Sequence, residues 1–180
     1  MRLQTLQDVF VEQLKDLYSA ENQILKALPK LAKTASSPDL KEAFEEHLNQ
    51  TRSHVERLDE VMTAIDAGGK GKKCEGMEGL LKEGKELLDL KREASPAALD
   101  AAMIAAAQRV EHYEIAAYGT VCNYAKQLGL RDAMALLQET LREEEQTDKR
   151  LSQIANTVNR EAAEAQPQTS DRGRKTRAAR

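Results

Sequence analysis

Apolar residues return every three or four positions through four segments of roughly thirty residues each, the period of one face of an α-helix. Leu3, Leu6, Phe10, Leu14, Leu17, Ile24, Leu28 and Leu31 trace such a face from about residue 5 to residue 34. Leu40, Phe44, Thr51, Val55, Leu58, Met62 and Ile65 trace a second. Ile104, Ala107, Glu111, Glu114, Tyr118, Val121, Ala125 and Leu128 mark a third, over about 96–128. Met134, Leu137, Leu141, Glu144, Asp148, Leu151, Ala155 and Val158 mark a fourth, over about 131–160. A chain so patterned buries its stripes by packing helix against helix, which predicts an all-α four-helix bundle.

Punctuation between the stripes sets the connectivity. "SSPDLKEAF" supplies a Ser N-cap, Pro at the first helical position and acids in the first turn, so the second helix starts within a few residues of the first. "LGLRD" breaks the third from the fourth just as tightly. Each pair is therefore expected to form an antiparallel hairpin, with Pro29 bending the first helix near its end. Between the pairs, "AGGKGKK" ends the second helix, and "GMEGLLKEGKELLDLKREASP" reads as a short helix in a crossover long enough to run the length of the bundle. The expected order is up, down, long crossover, up, down.

Composition narrows the class further. The chain is 41% hydrophobic and 32% charged with no Trp, the balance of a soluble helical protein. Its N-terminus lacks the uninterrupted apolar run of a secretory signal, and no segment offers the roughly 20 apolar residues that span a bilayer, so a cytoplasmic location is expected and no membrane partner. Cys74 and Cys122 read as two free thiols. The net charge of −3 conceals Arg172, Arg174, Lys175, Arg177 and Arg180 at the end of the chain. "AQPQTSDRGRKTRAAR" has no periodicity, which predicts a bundle over 1–162 and a disordered basic tail over 163–180. Only weak contact with nucleic acid is expected, through that tail, because the body is acidic and two Phe give no interleaved stacking surface.

The informative anomaly is acid inside the stripes. Glu21 lies between Leu17 and Ile24, Glu111 and Glu114 lie in the third stripe, and Glu144 and Asp148 lie in the fourth. The second helix contributes His54, with His47 two turns earlier. An unpartnered buried carboxylate costs several kcal/mol, and converging carboxylates repel one another as well. Lys15, Arg109 and Lys149 lie off these stripes, and Arg52 and Arg142 point to solvent, so divalent cations are the natural counter-charge. Mixed carboxylate and imidazole donors suit iron or manganese better than zinc, as one ion or as two ions about 3.5–4 Å apart. The competing reading is a wide stripe whose acids reach water and pair with neighbouring lysines.

With those residues identified, the chain resembles the ferritin-like superfamily. "DLYSAENQILKALPKL", "EEHLNQTRSHVERL", "CEGMEGLLKEG" and "VEHYEIAAYG" are similar to the YciE/YciF-type bacterial stress-protein family in particular. The resemblance spans residues 3 to about 160. It implies a ferritin-like bundle with a crossover between its second and third long helices, a homodimer, and a link to stress responses. By likeness to the related rubrerythrins it implies metal ligands at Glu21, Glu111 and Glu114. The superfamily also carries Glu-x-x-His on the second and fourth long helices, and here the pattern departs. Thr51 precedes His54 where a Glu is expected, and Glu144 is followed by Asp148 with no His in that helix. The expected ligand set is Glu21, His54, Glu111, Glu114, Glu144 and Asp148, with the roles of Gln50 and His47 open.

Two functions compete at this point. One is a metal protein that handles iron or manganese, or consumes peroxide, with Tyr18, Tyr113 and Tyr118 as neighbours able to pack or to relay charge. The other is a non-enzymatic stress scaffold with a degraded metal site. No phosphate-cradling glycine loop, Cys-x-x-Cys or hydrolase motif occurs, which leaves a di-metal oxidoreductase as the compatible enzyme class.

Overall fold

The computed structural model describes residues 3–67 and 71–165. Five helices occupy most of that length: α1 (Leu6–Thr34), α2 (Pro38–Ala64), α3 (Glu75–Asp89), α4 (Pro96–Gln127) and α5 (Arg131–Glu164), with a 3₁₀ turn at Leu90–Arg92. Among the described residues there is no strand. The helix begins follow from local chemistry. Thr5 and Asp8 form a reciprocal capping box on α1, and Ser37 and Ser95 cap α2 and α4 with a proline directly after each. Gly129, at φ 73°, makes the left-handed turn between α4 and α5 that a side chain would strain. α1 runs on past Pro29 for another turn.

α1 packs on α2 and α4, α5 packs on α4 and α2, and α3 lies against α1 and α4. The apolar core is divided in two. One cluster joins Ile24, Leu28 and Ala32 of α1 to Leu40 and Phe44 of α2, Met103 and Ile104 of α4, and Ile154 and Val158 of α5. The other joins Phe10 and Leu14 of α1, Leu58 and Val61 of α2, Val121 and Ala125 of α4, and Ala133 and Leu137 of α5. The N-terminal halves of α2 and α4 thus share an end of the bundle with the C-terminal halves of α1 and α5.

That arrangement corrects the expected helix directions. The order is up, down, down, up, because the crossover carries the chain back along the bundle before α4 starts. Met77 of α3 is fully buried in the first cluster, which anchors the return. A consequence is that all four adjacent pairs of long helices are antiparallel. Asp100 of α4 fixes the common end: its carboxylate accepts from the backbone N–H groups of Ser36 (3.0 Å) and Ser37 (2.6 Å) in the α1–α2 turn.

Both cysteines are free and buried, as expected of a pair of thiols. Cys74, at the end of the basic loop, is the N-cap of α3, and its Sγ lies 2.9 Å from the Tyr113 hydroxyl. No described helix is long and apolar enough to cross a membrane. The bundle runs to Glu164, and the remainder of the basic tail lies outside the described residues.

Candidate metal centre

Between the two apolar clusters lies a polar layer, and helical spacing explains how each member reaches it. Steps of three and four residues keep one face inward. Leu17, Glu21 and Ile24 follow that rule on α1, as do His47, Thr51, His54 and Leu58 on α2. Ala107, Glu111, Glu114 and Tyr118 do so on α4, and Leu137, Glu144 and Leu151 on α5. Each of these positions is buried.

Two groups of donor atoms result. His47, Glu111, Glu114 and Glu144 each offer one ligand atom within 4.8 Å of the others, and so do Glu21, His54 and Glu144. Glu144 belongs to both. His47 Nε2 lies 3.5 Å from Glu111 Oε1 and 3.9 Å from Glu144 Oε2. His54 Nδ1 lies 2.9 Å from Glu144 Oε1 and 3.4 Å from Glu21 Oε1. These contacts are close in distance, yet the buried atoms Glu21 Oε2, His47 Nε2, His54 Nδ1, Glu111 Oε2 and both carboxylate oxygens of Glu114 and Glu144 have no hydrogen-bond partner. Buried polar atoms are almost always paired. A cluster whose lone pairs converge without pairing has the form of a coordination shell, and the donor set fits hard or borderline divalent ions.

The outward nitrogens of the two histidines are tied down. His54 Nε2 is 2.9 Å from Glu143 Oε2, and Arg57 Nη1 donates to the same oxygen at 2.6 Å. His47 Nδ1 is 3.4 Å from Gln50 Oε1, which also accepts from the Thr147 hydroxyl at 3.3 Å. Because carboxylate and amide oxygens only accept, each histidine must place its proton on the outward nitrogen when neutral, leaving the inward nitrogen a lone pair. Metal-ligating histidines are oriented in this way. Tyr118 performs a similar service for Glu21, donating to Oε1 at 2.5 Å.

Without a cation the layer is an uncomfortable mixture of charges. Burial, then the charge of Glu144, pushes Glu111 well above the usual carboxylate range. Burial and the charges of Glu144 and Glu21 do the same to Glu114. Burial pulls His54 down, but Glu144 and Glu21 outweigh it and hold the imidazole up at about 10. Glu144 moves the other way: burial raises it, and the neighbouring imidazoles more than reverse that. Without a cation the layer therefore favours the protonated forms of Glu111, Glu114 and His54.

Of the expected ligands, Glu21, His54, Glu111, Glu114 and Glu144 come together, and Asp148 stands outside both groups. Its Oδ1 accepts from Gln108 Nε2 (3.1 Å) and lies 3.5 Å from His112 Nε2. The reason is rotational. The inward flank of α5 is Ala133, Thr140, Thr147 and Ile154, not Met134, Leu141, Asp148 and Ala155. The two flanks differ by one residue, about 100° around the helix, and both mix apolar with polar residues. Thr51 and Thr147, which stand where the superfamily pattern has ligands, turn their hydroxyls back onto the carbonyls of His47 (2.8 Å) and Glu143 (3.1 Å). His47, one turn before Thr51, takes a place in the layer. Glu143 and Arg57 were not singled out in the sequence, where they look like ordinary surface charges.

Residues 5–164 match the family described as a domain of unknown function, DUF892. Protein YciF of Escherichia coli K12 is 46% identical over 164 residues, which cover 90% of this chain and 98% of that protein. The crystal structure of the E. coli stress protein YciF superposes with a TM-score of 0.82 at 45% identity, covering 88% of this chain and 99% of its own. YcfI from Rhodopseudomonas palustris follows at 0.78 and 40%, covering 83% and 94%. A protein from Xanthomonas campestris, at 17% identity and a TM-score of 0.66 over 88% and 96%, shares the fold alone.

Proposed function

The chain belongs to the YciE/YciF-type family of the ferritin-like superfamily, and from that premise we propose that its buried layer is a two-ion centre for iron or manganese that serves a bacterial stress response. The observation that carries this reading is the set of buried inward-facing nitrogen and oxygen atoms without hydrogen-bond partners on Glu21, His47, His54, Glu111, Glu114 and Glu144. Four carboxylates balance the charge of two divalent cations. The resemblance also supports a homodimer in the cytoplasm, which sedimentation velocity and cell fractionation test.

His47, Glu111, Glu114 and Glu144 would hold one ion, and Glu21, His54 and Glu144 the other, with Glu144 shared. Iron or manganese bound there supplies one-electron redox chemistry toward dioxygen or peroxide. The chain's own part is threefold. Glu143 and Gln50 set the histidine tautomers, and Tyr118 keeps Glu21 Oε1 engaged. The apolar clusters on either side exclude bulk water, which strengthens every charge interaction between them. Glu111, Glu114 and His54 hold protons that leave when cations take their place.

The test is elemental analysis of untagged protein beside a Glu114→Ala, Glu144→Ala double variant. Near-stoichiometric iron or manganese in the first and none in the second is the expected result. The scaffold reading draws on Thr51 and Thr147, whose hydroxyls leave the layer short of the full superfamily ligand set. It expects no metal in either protein and no change in thermal midpoint on adding ferrous iron.

A further inference from the structure

Resting on the metal reading of the layer, we infer that His112 and Asp148 form an outer loading station, through which a divalent cation passes from water to Glu111 and the His47 side of the centre. The ligands themselves are sealed, so an ion needs a route, and exposure falls in steps from the surface of the α4–α5 pair to the layer. The side chain of His112 is 69% exposed and that of Asp148 22%. Glu111 is at 3% and Glu144 at 0%. The residues sit on successive turns of α4 and α5, Gln108, Glu111 and His112 facing Glu144 and Asp148. At the inner end, Glu111 Oε2 is buried with no partner.

The acids on the other sides of the layer are already answered by fixed positive charge or a hydroxyl. Arg57 grips Glu143 (2.6 Å) and Glu139 (2.7 Å) outside His54, and a guanidinium there repels an incoming cation. Arg150 pairs with Glu42 (3.0 Å) and with Glu46. Glu21 is capped by Tyr118 within the apolar core. Asp148 instead faces the imidazole of His112, and both Gln108 and His112 approach its Oδ1. Gln108 also donates to Ser152 (2.9 Å), which holds its amide against α5. A carboxylate steadied on one oxygen beside an imidazole nitrogen is a pair of donors suited to iron or manganese, able to replace some of the ion's water before the buried ligands replace the rest.

A loading station changes rates and leaves the equilibrium alone. Manganous ion is the probe: association is followed by stopped flow against a fluorescent chelator, and dissociation by trapping with excess EDTA. Asp148→Asn and His112→Gln should slow both about tenfold, with stoichiometry and Kd unchanged and the metal-free thermal midpoint unmoved. Added salt should slow association to the wild type and to His112→Gln and hardly affect Asp148→Asn, because the field of Asp148 is what steers the ion. Unchanged rates in both variants overturn the proposal. So does a weaker Kd with normal association, which would make Asp148 a ligand. A wild type that takes up no manganese removes the metal reading itself and the station with it, whereas loss of binding in Glu144→Ala alone, with normal rates in the Asp148 and His112 variants, keeps the metal reading and removes the station.

Discussion

The two histidines of the layer are held by opposite chemistry. His54 leans on a carboxylate, Glu143, which is itself clamped by Arg57. His47 leans on a neutral amide, Gln50, steadied by a threonine hydroxyl. The ligand counts run the other way, with three carboxylates around His47 and two around His54. One side is thus rich in anionic donors, and the other relies on an imidazole made more basic by its partner. In the proposed two-ion centre the two sides would share Glu144 and be tuned separately through residues outside the ligand set, and the carboxylate-rich His47 side should bind first and more tightly.

The largest effect should come from removing what the two sides share. Glu144→Ala deletes a donor from both groups and leaves the remaining carboxylates to repel one another across a cavity. Calorimetric titration with manganous or ferrous ion should show both binding events gone. With them goes the stabilisation by metal, about 2.7 kcal/mol per ion at a hundredfold excess over Kd. Retention of either event would mean that the sides do not share this ligand.

Removing one side at a time comes next. His47→Ala should abolish the tighter event, and His54→Ala the weaker, each leaving one ion per chain by elemental analysis. Identical behaviour of the two variants would erase the asymmetry.

Proton release should sharpen the same contrast, because His54 carries a strongly raised imidazole. In the metal-free protein, Glu111 and Glu114 sit above their ordinary 4.5, and His54 near 10 against 6.5. The folded state then binds more protons than the unfolded chain. Stability from these groups is complete below the unfolded values and is lost as pH rises toward the folded ones. Glu144, lowered, adds stability that is lost as pH falls instead. The metal-free midpoint should therefore fall from about pH 5 into the alkaline range. Affinity on the His54 side should rise about tenfold per pH unit, about a hundredfold between pH 6 and pH 8. In His54→Ala, which keeps only the His47-side event, the total proton release on metal uptake should fall by at least one.

The comparison between the sides was only partly legible in the sequence. Glu21, Glu111, Glu114 and Glu144 stood out because acid at core spacing is costly, and His54 because it shares their face. The resemblance supplied the bundle, and the Ser-Pro and Gly signals its boundaries. What escaped was geometry that periodicity does not carry. A heptad-like pattern on α5 fits two flanks one residue apart, so Asp148 and Thr147 exchanged places. The direction of α4 depends on where α3 lies, which no stripe records. Glu143 and Arg57 carry no sequence signal, because an outward carboxylate next to an inward one looks like ordinary surface charge until the histidine between the helices is located.

The smallest effects test the tuning residues themselves. Glu143→Gln keeps an acceptor on His54 Nε2 but removes its charge, and leaves Arg57 with Glu139 as its ion-pair partner. Affinity on that side should drop about 10–100-fold, the usual consequence of altering a ligand's outer partner. Gln50→Ala removes only a neutral hydrogen bond of about 0.5–1.5 kcal/mol, so the His47 side should weaken by roughly 2–10-fold. The ratio between these two losses measures how far a charged anchor outperforms a neutral one in a single layer. If Gln50→Ala proves as damaging as Glu143→Gln, the carboxylates around His47, and not its amide partner, must depend on Gln50 for their positions, and the independence of the two sides is lost.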